Sequence, residues 1–369
     1  MTTRLTVHAA SGAYDVVIGV GALSLHTAGW PDMQGRRVLV VADQNVMEHH
    51  VSPVVAVLET SGATVQTVAL VATEQDKRMS AVESIWDAAL RAGLDRHSLM
   101  VAIGGGLTGD VVGFAAATYL RGIDVVQVPT TLLAMADASV GGKTGINVPL
   151  PERSTLGKNL AGAFWPPRLV LIDPMTLATL PRRDVACGLA ECIKHGILAD
   201  RSLLEVIRAS TPLLLEADPE AVERVVTKAV AVKINVVDRD ERETGERMLL
   251  NLGHTFAHAI EPLSELDLRH GEAVSVGLMA AYHCSVELGL VAQSEAASIA
   301  SLLETVTLPI ALSKPVSIDA LIDAMRFDKK ATAGVLRLIL PTEASAVVRD
   351  DIPEGLVRSA WESVMPAMG

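Results

Sequence analysis

The 369-residue chain is poor in cysteine, in aromatic residues and in basic charge. Its three cysteines are sparse and odd in number, which excludes a disulfide framework and favours a reducing compartment. Aromatic residues make up only 3%, so the core must be built from aliphatic side chains. The 31 basic residues are outnumbered by 43 acidic ones, and the net charge of −12 argues against a nucleic-acid-binding protein. An anionic small molecule remains compatible, because a local basic pocket can form in an acidic protein.

Long hydrophobic runs are also missing. The longest mostly apolar run, 273–282, is too short to span a bilayer, and the N-terminus lacks the basic-then-apolar pattern of a secretion signal. Half of the residues are hydrophobic and a fifth are charged, which excludes a disordered chain. We therefore expect a soluble cytoplasmic protein without a membrane partner. At about 100–200 residues per domain, its length favours two domains.

The first half of the chain contains short β-branched apolar runs with helical patterns, such as 80–92, between some of them. Near-continuous apolar runs are typical of strands buried on both faces of a sheet. The alternation of strand and helix predicts βαβ units and a parallel sheet. The runs lie at 37–41, 64–70, 99–103, 124–128 and 169–172.

Helical patterns dominate from about residue 175 onwards, and only one late candidate strand, 336–340, interrupts them. The sequence therefore predicts an α/β domain with a parallel sheet over 1–174 and an all-α domain over 175–369. The predicted helices of the second domain are 184–199, 219–238, 251–263, 271–289 and 294–305.

A glycine-rich segment, VAIGGGLTGD at 101–110, follows a strand pattern and precedes a helical one. Gly104, Gly106 and Gly109 match the pattern G-x-G-x-x-G. Glycines let the backbone approach a phosphate, and a helix N-terminus offers free N–H groups and partial positive charge. A tight turn without a ligand is the alternative, but this placement favours contact with a phosphate or a dinucleotide.

A second polar cluster, at 128–147, contains Thr130, Thr131, Asp137 and Lys143. Lys143 follows two glycines, and a lysine in this setting is a good contact for an oxyanion or a phosphate. The segment is not a P-loop, because the first P-loop glycine would fall at Asp137. A solvated loop lysine is the alternative interpretation.

A third cluster, at 188–197, places Glu191, Lys194 and His195 on one face of an otherwise apolar helix. Such ionisable groups must be paired, ligate a metal or lie exposed. Further along, Lys233 lies on the face of its own helix that is expected to be buried. A lysine there is costly unless an anion accompanies it.

The fourth and strongest signal is a polar stripe of Arg247, Asn251, His254 and His258, which share one face if 247–258 is continuously helical. Packing alone poorly explains two histidines, an asparagine and an arginine on one stripe. Their side chains suit a phosphate or a metal ion.

A metal site is plausible because Glu191 with two histidines would leave open coordination positions, as in catalytic centres. The i, i+4 spacing favours His254 and His258 as the histidine pair. The remaining candidates at this point are His195, His270 and His283.

Five segments, in this order, resemble the 3-dehydroquinate synthase family of sugar-phosphate cyclases. They are GGGLTGDVVGFAAATYLRG, VPTTLLAMADASVGGKTGIN, GKNLAGAF, LPRRDVACGLAECIKHGI and LNLGHTFAHAIE. The resemblance implies a Rossmann-like NAD-binding domain followed by a helical metal- and substrate-binding domain. It also implies NAD, one divalent metal (Zn or Co), a sugar phosphate substrate and a homodimer.

The resemblance assigns the metal ligands to Glu191, His254 and His270, which makes His258 a substrate contact. The residues that it implies for NAD binding are Asp43, Glu74, Lys77, Gly105, Gly106, Asp110, Thr130, Thr131, Lys143, Lys158, Thr176 and Thr179. Those that it implies for catalysis and substrate binding are Arg121 (from the partner subunit), Asp137, Lys143, Asn159, Lys194, Lys233, Arg247, Asn251 and His258.

The implied reaction converts 3-deoxy-D-arabino-heptulosonate 7-phosphate to 3-dehydroquinate and phosphate. It proceeds by transient oxidation with NAD, β-elimination, reduction and an intramolecular aldol cyclisation. The implied phosphate-side groups are Lys143, Arg121, Asn159, Lys194 and His258. The implied carboxylate-side groups are Lys233, Arg247 and one of Lys329 or Lys330.

Three alternative functions fit these residues less well. Related cyclases act on sedoheptulose 7-phosphate or glucose 6-phosphate, which lack the carboxylate, and Asn251 with FDKK at 327–330 favours the dehydroquinate reaction. A glycerol-type dehydrogenase would not need so many basic groups. A degenerate paralogue would have lost metal ligands, and all three candidates are present. One departure from the family pattern is a longer stretch at 149–156, which could displace Lys158 and Asn159.

Overall fold

The computed structural model describes residues 2–10, 12–150, 156–328 and 336–366, without the side chains of 327 and 328. Its internal contacts divide the chain into two units. The first consists of Met1–Pro181 and Glu216–Arg242, and the second of Arg182–Leu215 and Glu243–Gly369. The single boundary predicted after residue 174 differs from this division, because the helical segment 216–242 groups with the α/β unit. Residues Lys329 and Lys330 lie outside the described ranges.

The strands and helices of the described ranges are as follows. The strands are β1 (Thr3–Ala9), β2 (Gly12–Ile18), β3 (Arg37–Asp43), β4 (Thr64–Leu70), β5 (Leu99–Gly104), β6 (Asp124–Pro129), β7 (Lys143–Pro149), β8 (Leu156–Phe164), β9 (Leu169–Ile172), β10 (Leu338–Pro341) and β11 (Ala346–Arg349). The helices are α1 (Met47–Thr60), α2 (Met79–Arg91), α3 (Gly106–Thr118), α4 (Arg182–Leu198), α5 (Arg201–Leu215), α6 (Pro219–Arg239), α7 (His254–Ile260), α8 (His270–Glu287), α9 (Gln293–Thr305), α10 (Ile318–Asp328) and α11 (Glu354–Ser363).

The first unit is built on a seven-stranded sheet of order β1-β2-β9-β6-β5-β3-β4. All neighbouring strands are parallel except β1 and β2, which form an antiparallel pair. The five predicted apolar runs become β3, β4, β5, β6 and β9, so the predicted α/β class with a parallel sheet is confirmed. Strands β1 and β2 were not predicted, because β1 alternates polar with apolar residues and Asp15 interrupts the apolar part of β2.

Side-chain alternation places a hydrophobic cluster on each face of this sheet. Val40 of β3 packs with Val54 of α1 on one face. Val41, the next residue, packs with Ile85 of α2 and Val112 of α3 on the other. Successive residues of a strand point to opposite faces, so one apolar strand supports both layers.

The hairpin of β7 and β8, at 143–164, was not predicted; it begins inside the polar cluster at 128–147. The two strands pair antiparallel, with an irregularity of register between Ile146 and Val148. Residues 151–155 lie outside the description. Before the hairpin, Ala134–Ala138 forms a short π-helical segment, a rare conformation that is frequent at functional sites.

The second unit is helical, with a single short hairpin of β10 and β11 among its described residues. Helix α4 packs against α5 and α8, and α7 packs against α8 and α10. Phe256 and Trp361 meet edge to face in its core, with ring centroids 5.2 Å apart. The predicted helical character is therefore confirmed, and the predicted strand at 336–340 is found at Leu338–Pro341. In the described ranges, no helix is both long and apolar enough to cross a bilayer.

The condition on which the polar stripe depended, a continuous helix over 247–258, is not met. Glu246–Asn251 is a 3-10 helix, and α7 begins only at His254. Between them Gly253 has φ of +79°, a left-handed conformation that ends the first helix. A Cβ at this glycine would lie 3.0 Å from the backbone nitrogen of Leu278. The turn can therefore approach α8 this closely only because the residue has no side chain.

Candidate active site

Helix α4 carries three ionisable residues that are almost completely buried. Glu191 and Lys194 are each 1% exposed and His195 is 0% exposed, so the alternative of a solvated charged face is wrong. Lys194 Nζ forms an ion pair with Glu191 Oε2 one turn away. The apolar remainder of the helix forces these groups into the interior, where a charge must be paired.

Two histidines from other helices join Glu191. His254 is the first residue of α7 and His270 the first residue of α8. The Nε2 atom of each lies 3.5 Å from Glu191 Oε1, and the three donor atoms lie within 4.8 Å of one another. Two imidazole nitrogens and a carboxylate oxygen form a donor set typical of zinc or cobalt, with positions left for a substrate. The residues present therefore fit a divalent metal.

The ligand pair favoured by spacing, His254 with His258, is not the pair that meets Glu191. The ring of His258 stands edge to face against His254, with centroids 5.6 Å apart, and its donor atoms lie outside the group. His270 instead supplies the second imidazole near Glu191, because the N-terminal end of α8 packs against α4 and α7. This long-range contact leaves no trace in local spacing.

The other ring nitrogen of each candidate ligand histidine, Nδ1, also lies near an acceptor. His254 Nδ1 lies 3.1 Å from the carbonyl oxygen of Leu252, and His270 Nδ1 lies 3.4 Å from Glu261 Oε1. Both rings thus present Nε2 to Glu191. Such outer contacts fix the tautomer and the orientation of metal-bound histidines. Sequence reasoning missed Glu261, although it closes the segment LNLGHTFAHAIE.

Burial and neighbouring charge shift the two histidine pKa values in opposite directions. Burial, with Lys194 nearby, lowers the pKa of His254 to about 3, so this ring is neutral at physiological pH. Burial acts in the same direction on His270, but the carboxylates of Glu191 and Glu261 outweigh it and raise the pKa of His270 to about 10. A metal would therefore have to displace a proton from His270.

The rest of the predicted polar stripe also lies in the second unit. Arg247 is 1% exposed, although it belongs to a short 3-10 helix. Asn251 donates from Nδ2 to Glu243 Oε1 at 2.7 Å. A fully buried guanidinium is expensive to desolvate, which makes Arg247 a candidate anion-binding residue.

In the first unit, the glycine turn lies at a change of strand order. The chain runs from β3 outwards to β4 and then returns across β3 to β5. Ligands of open α/β sheets bind at such switch points, beyond the carboxyl ends of the strands. Asp43 ends β3 there, and its Oδ1 accepts hydrogen bonds from the backbone and side chain of Asn45. Gly105 precedes α3, which begins at Gly106.

This turn has the features of a phosphate cradle. Thr130 is 3% exposed, and its buried hydroxyl has no hydrogen-bond partner among the described residues. A Cβ at Gly105 would lie 3.2 Å from Thr131 Cγ2, and one at Gly106 would lie 3.1 Å from Ala138 Cβ. The bare backbone and the start of α3 leave N–H groups accessible to an anion, so these residues fit a dinucleotide.

The structure joins several predicted cofactor and substrate residues into one polar network. Lys77, 4% exposed, donates from Nζ to Asp110 Oδ2 at 2.5 Å and to Asn159 Oδ1 at 2.5 Å. Lys158 Nζ lies 3.6 Å from Glu74 Oε1. The long stretch at 149–156 therefore leaves Lys158 and Asn159 in contact with predicted site residues.

A second buried ion pair of this unit joins Lys233 of α6 to the π-helical segment. Lys233 is 6% exposed, and its Nζ donates to the Asp137 carbonyl at 2.5 Å and to Asp137 Oδ1 at 2.6 Å. The predicted burial of Lys233 is confirmed, and an anion does accompany it. Its helix was predicted in the second domain but groups with the first unit.

The remaining predicted residues are Thr176, Thr179, Lys143 and Arg121. Thr176 is buried and donates to the carbonyl oxygen of Asp173, whereas Thr179 Oγ1 lies 2.9 Å from His50 Nε2. Lys143 begins β7 with an exposed side chain. Arg121 is exposed and has φ of +68°, unusual for a residue with a side chain.

Two family models match adjoining parts of the chain. Residues 67–187 match the 3-dehydroquinate synthase N-terminal model, and residues 188–331 match the 3-dehydroquinate synthase C-terminal model. A 3-dehydroquinate synthase of Nostoc punctiforme is 40% identical over 369 residues, which cover 99% of this chain and 100% of the relative.

Solved structures share the whole fold. The 2-epi-5-epi-valiolone synthase ValA of Streptomyces hygroscopicus, solved with NAD+ and Zn2+ bound, matches with a TM-score of 0.85 and 29% identity, over 95% of this chain and 96% of its own. A 2-deoxy-scyllo-inosose synthase, complexed with carbaglucose-6-phosphate, NAD+ and Co2+, matches with a TM-score of 0.87 and 24% identity, over 98% of this chain and 100% of its own.

Proposed function

Because this chain belongs to the 3-dehydroquinate synthase family, we propose that it converts 3-deoxy-D-arabino-heptulosonate 7-phosphate to 3-dehydroquinate and phosphate. This lyase reaction is a step of the shikimate pathway, which leads to chorismate and the aromatic amino acids. The observation that carries the proposal is the convergence of Glu191, His254 and His270 in a set suited to one catalytic divalent ion.

Two cofactors follow from the proposal. Glu191, His254 and His270 hold one divalent metal, Zn or Co. When bound, NAD supplies a reversible hydride acceptor and the metal ion a Lewis acid for a substrate hydroxyl. The residues proposed to bind NAD are Asp43, Glu74, Lys77, Gly105, Gly106, Asp110, Thr130, Thr131, Lys143, Lys158, Thr176 and Thr179. The orphaned Thr130 hydroxyl and the open glycine turn support this assignment.

The substrate carries a phosphate and a carboxylate, and the proposal assigns cationic and polar groups to each. Those proposed for the phosphate are Lys143, Asn159, Lys194, His258 and Arg121 of the partner subunit. Buried Lys194 has Glu191 as an ion-pair partner, which offsets the cost of burying its ammonium group. A preorganised cation of this kind stabilises the leaving phosphate without solvent reorganisation.

For the carboxylate we propose Lys233 and Arg247, and Asp137 and Asn251 complete the set of substrate-binding residues. Arg247 offers a rigid planar donor group suited to a carboxylate. Asp137 holds the Lys233 ammonium in place, through a carboxylate and a carbonyl oxygen.

The chain is also proposed to act as a homodimer in the cytoplasm. Exposed large apolar side chains of the first unit include Leu120, in the turn after α3, by 40%, and Leu160 and Phe164 of β8 by 57% and 41%. Burying them against a second copy would stabilise a dimer and bring Arg121 to the partner. The cysteines, all free and buried, suit a reducing compartment.

A phosphate-release assay tests the reaction. Full-length protein with NAD and Zn2+ or Co2+ would be given each sugar phosphate in turn. We expect release from the heptulosonate phosphate only. Release restricted to sedoheptulose 7-phosphate or glucose 6-phosphate would contradict the proposed substrate and support the second candidate, a cyclase resembling the two solved structures.

A further inference from the structure

Asn147 is a buried polar residue to which the proposed function assigns no role. It lies in β7, between Ile146 and Val148, where the register of the β7–β8 hairpin shifts. Its side chain is almost entirely enclosed, at 2% residue exposure. Irregularities of register redirect a side chain from its regular face and are common beside functional sites. Here the redirected group is a carboxamide, which needs partners for two donors and an acceptor.

Each of those hydrogen-bonding groups contacts a residue of the polar network formed by Glu74, Lys77, Asp110, Lys158 and Asn159. The Asn147 Nδ2 group donates to Glu74 Oε2 at 2.8 Å and to the Glu74 carbonyl oxygen at 3.0 Å. Its Oδ1 accepts from the backbone N–H of Asn159 at 3.0 Å. Its own backbone N–H donates to the carbonyl oxygen of Lys77 at 2.7 Å.

Asn147 therefore links the loop before α2 to strand β8. Asn159 has φ of +53°, a left-handed conformation that a residue with a side chain keeps where its surroundings restrain it. The bond from Asn159 N–H to Asn147 is one such restraint. Asn159 Oδ1 in turn accepts from Lys77 Nζ, so the three residues form a closed ring of hydrogen bonds.

We propose that Asn147 is a positioning residue that holds Glu74 in its NAD-binding orientation and Asn159 in its substrate-binding orientation. The inference rests on the proposed function, which assigns those two roles. Asn147 itself touches neither ligand. Glu74 is half exposed, with 48% of its side chain accessible, so without the amide it would be restrained mainly by the distant ammonium of Lys158.

A double-mutant cycle on NAD affinity tests the proposal with the full-length chain. NAD binding is measured by titration calorimetry for the wild type, Asn147→Ala, Glu74→Ala and the double variant. We expect Asn147→Ala to weaken NAD binding about tenfold, the effect of roughly one hydrogen bond to a charged group. In the Glu74→Ala background the same change should alter the NAD dissociation constant by less than about twofold, because no carboxylate remains to orient.

Asn235→Ala is the matched control, because Asn235 is an exposed asparagine of α6 in the same unit. It should leave NAD affinity unchanged. Should Asn147→Ala fold poorly, Asn147→Asp keeps the volume and the acceptor for Asn159 but loses the donors to Glu74. Its effect on NAD binding should be smaller in a Glu74→Gln background, where the new amide can donate to the introduced carboxylate.

A second readout addresses the substrate side. At saturating NAD, Asn147→Ala should raise the KM for the sugar phosphate several-fold, because Asn159 loses its restraint. If the wild type binds NAD but Asn147→Ala leaves the NAD affinity unchanged, the inference is overturned and the proposed function is not. The same holds if Asn147→Ala weakens NAD binding equally with Glu74 and with Ala at position 74. A wild-type chain that binds no NAD would overturn the proposed function and the inference with it.

Discussion

His254 and His270 reach the same carboxylate in opposite protonation states. The buried His254 ring is neutral, with a pKa lowered to about 3, and is ready to ligate. His270 faces two carboxylates, which raise its pKa to about 10 and keep it protonated in the metal-free chain. The proton on His270 thus compensates the buried negative charge until a divalent ion replaces it.

The metal affinity should therefore depend on pH. Between about pH 6 and pH 8, binding must release the proton of His270, so the apparent affinity should rise by up to about tenfold per pH unit. Calorimetric titration with Zn2+ in two buffers of different ionisation enthalpy measures the number of protons released. A count near zero, with affinity independent of pH, would contradict the protonated state assigned to His270.

Glu261 is predicted to support the metal through His270. Its Oε1 atom lies 3.4 Å from His270 Nδ1, and its side chain is 10% exposed. Glu261→Gln removes the charge but keeps the shape, so metal affinity should fall about 10- to 100-fold, as is typical for outer-shell partners of ligand histidines. Competition with a chromogenic chelator measures that affinity.

Glu265→Gln is the control for this variant, because Glu265 is exposed in the same loop. The absorption bands of a Co2+-loaded sample add a readout that is independent of turnover. Unaltered bands together with unaltered affinity in Glu261→Gln would show that Glu261 does not orient the ligand.

At the scale of whole elements, the metal site depends on how closely α8 approaches α4. A Cβ on Gly271, the residue after His270, would lie 2.6 Å from the carbonyl carbon of Cys187. Gly271→Ala should therefore push the helices apart, lower the free energy of unfolding by about 1–3 kcal/mol and weaken metal binding. Chemical denaturation and metal titration measure the two effects.

Gly355→Ala provides a matched comparison. Gly355 lies in the first turn of α11, and a Cβ there would meet nothing within 4 Å. The added methyl should leave stability unchanged or raise it by up to about 1 kcal/mol through helix propensity. Equal effects of the two substitutions would contradict the close-approach explanation.

A second prediction at this scale concerns the amino ends of the central strands. Asp124, the first residue of β6, accepts from Arg36 before β3 at 2.6 Å and from Arg168 before β9 at 2.7 Å. Partial burial alone would raise the pKa of Asp124, but the two guanidinium groups hold it below its usual value of 3.8. Because the folded pKa is the lower one, this contribution to stability is complete above the unfolded pKa and is lost as the pH falls through the folded pKa.

Asp124→Asn should thus lower the free energy of unfolding by about 1–2 kcal/mol at neutral pH, and the deficit should shrink only below about pH 4. Urea unfolding across that pH range checks both parts. Asp87→Asn, at an exposed position of α2, is the control. A deficit that persists undiminished in acid would show that the ion pairs are not its source.

Elements with one strong local signal were predictable from the sequence. Strands β4 and β9 match their predicted bounds, because β4 is rich in Thr and Val and β9 is continuously apolar. The hairpin of β7 and β8 was missed, since its glycines and polar residues are typical of loops. The 3-10 helix before His254 was missed because the decisive feature, the turn at Gly253, is fixed by contact with α8.

The same distinction applies to the candidate site. The clusters around Glu191 and the glycine turn were visible as motifs, because chemistry-bearing residues are unusual on apolar elements. Spacing alone favoured His258 over His270, since pairing across helices α4, α7 and α8 has no local signature. Contacts such as those of Glu261 and Asn147 depend on tertiary structure and could not be derived from residue patterns.

At the scale of the whole molecule, an acidic chain with a net charge of −12 buries several cations. Lys77, Lys194 and Lys233 are each at most 6% exposed, and each is paired with a carboxylate. Removing one partner of such a pair leaves the other charge buried without compensation. Substitution of these proposed binding residues should therefore also lower the free energy of unfolding. Ligands that complete such sites should stabilise the folded protein.

Metal removal should therefore lower the thermal stability of the intact chain. At a free metal concentration of about 100 times the dissociation constant, binding stabilises the folded state by about 2.7 kcal/mol, so chelation should lower Tm by several degrees. Glu191→Ala removes the shared carboxylate and should abolish metal retention, turnover and the response of Tm to metal. Differential scanning calorimetry with and without Zn2+, together with metal analysis after dialysis, measures these effects. His283→Ala, a histidine of α8 outside the ligand group, should keep the full metal response, and a Glu191→Ala protein that still retained one equivalent of metal would refute the ligand assignment.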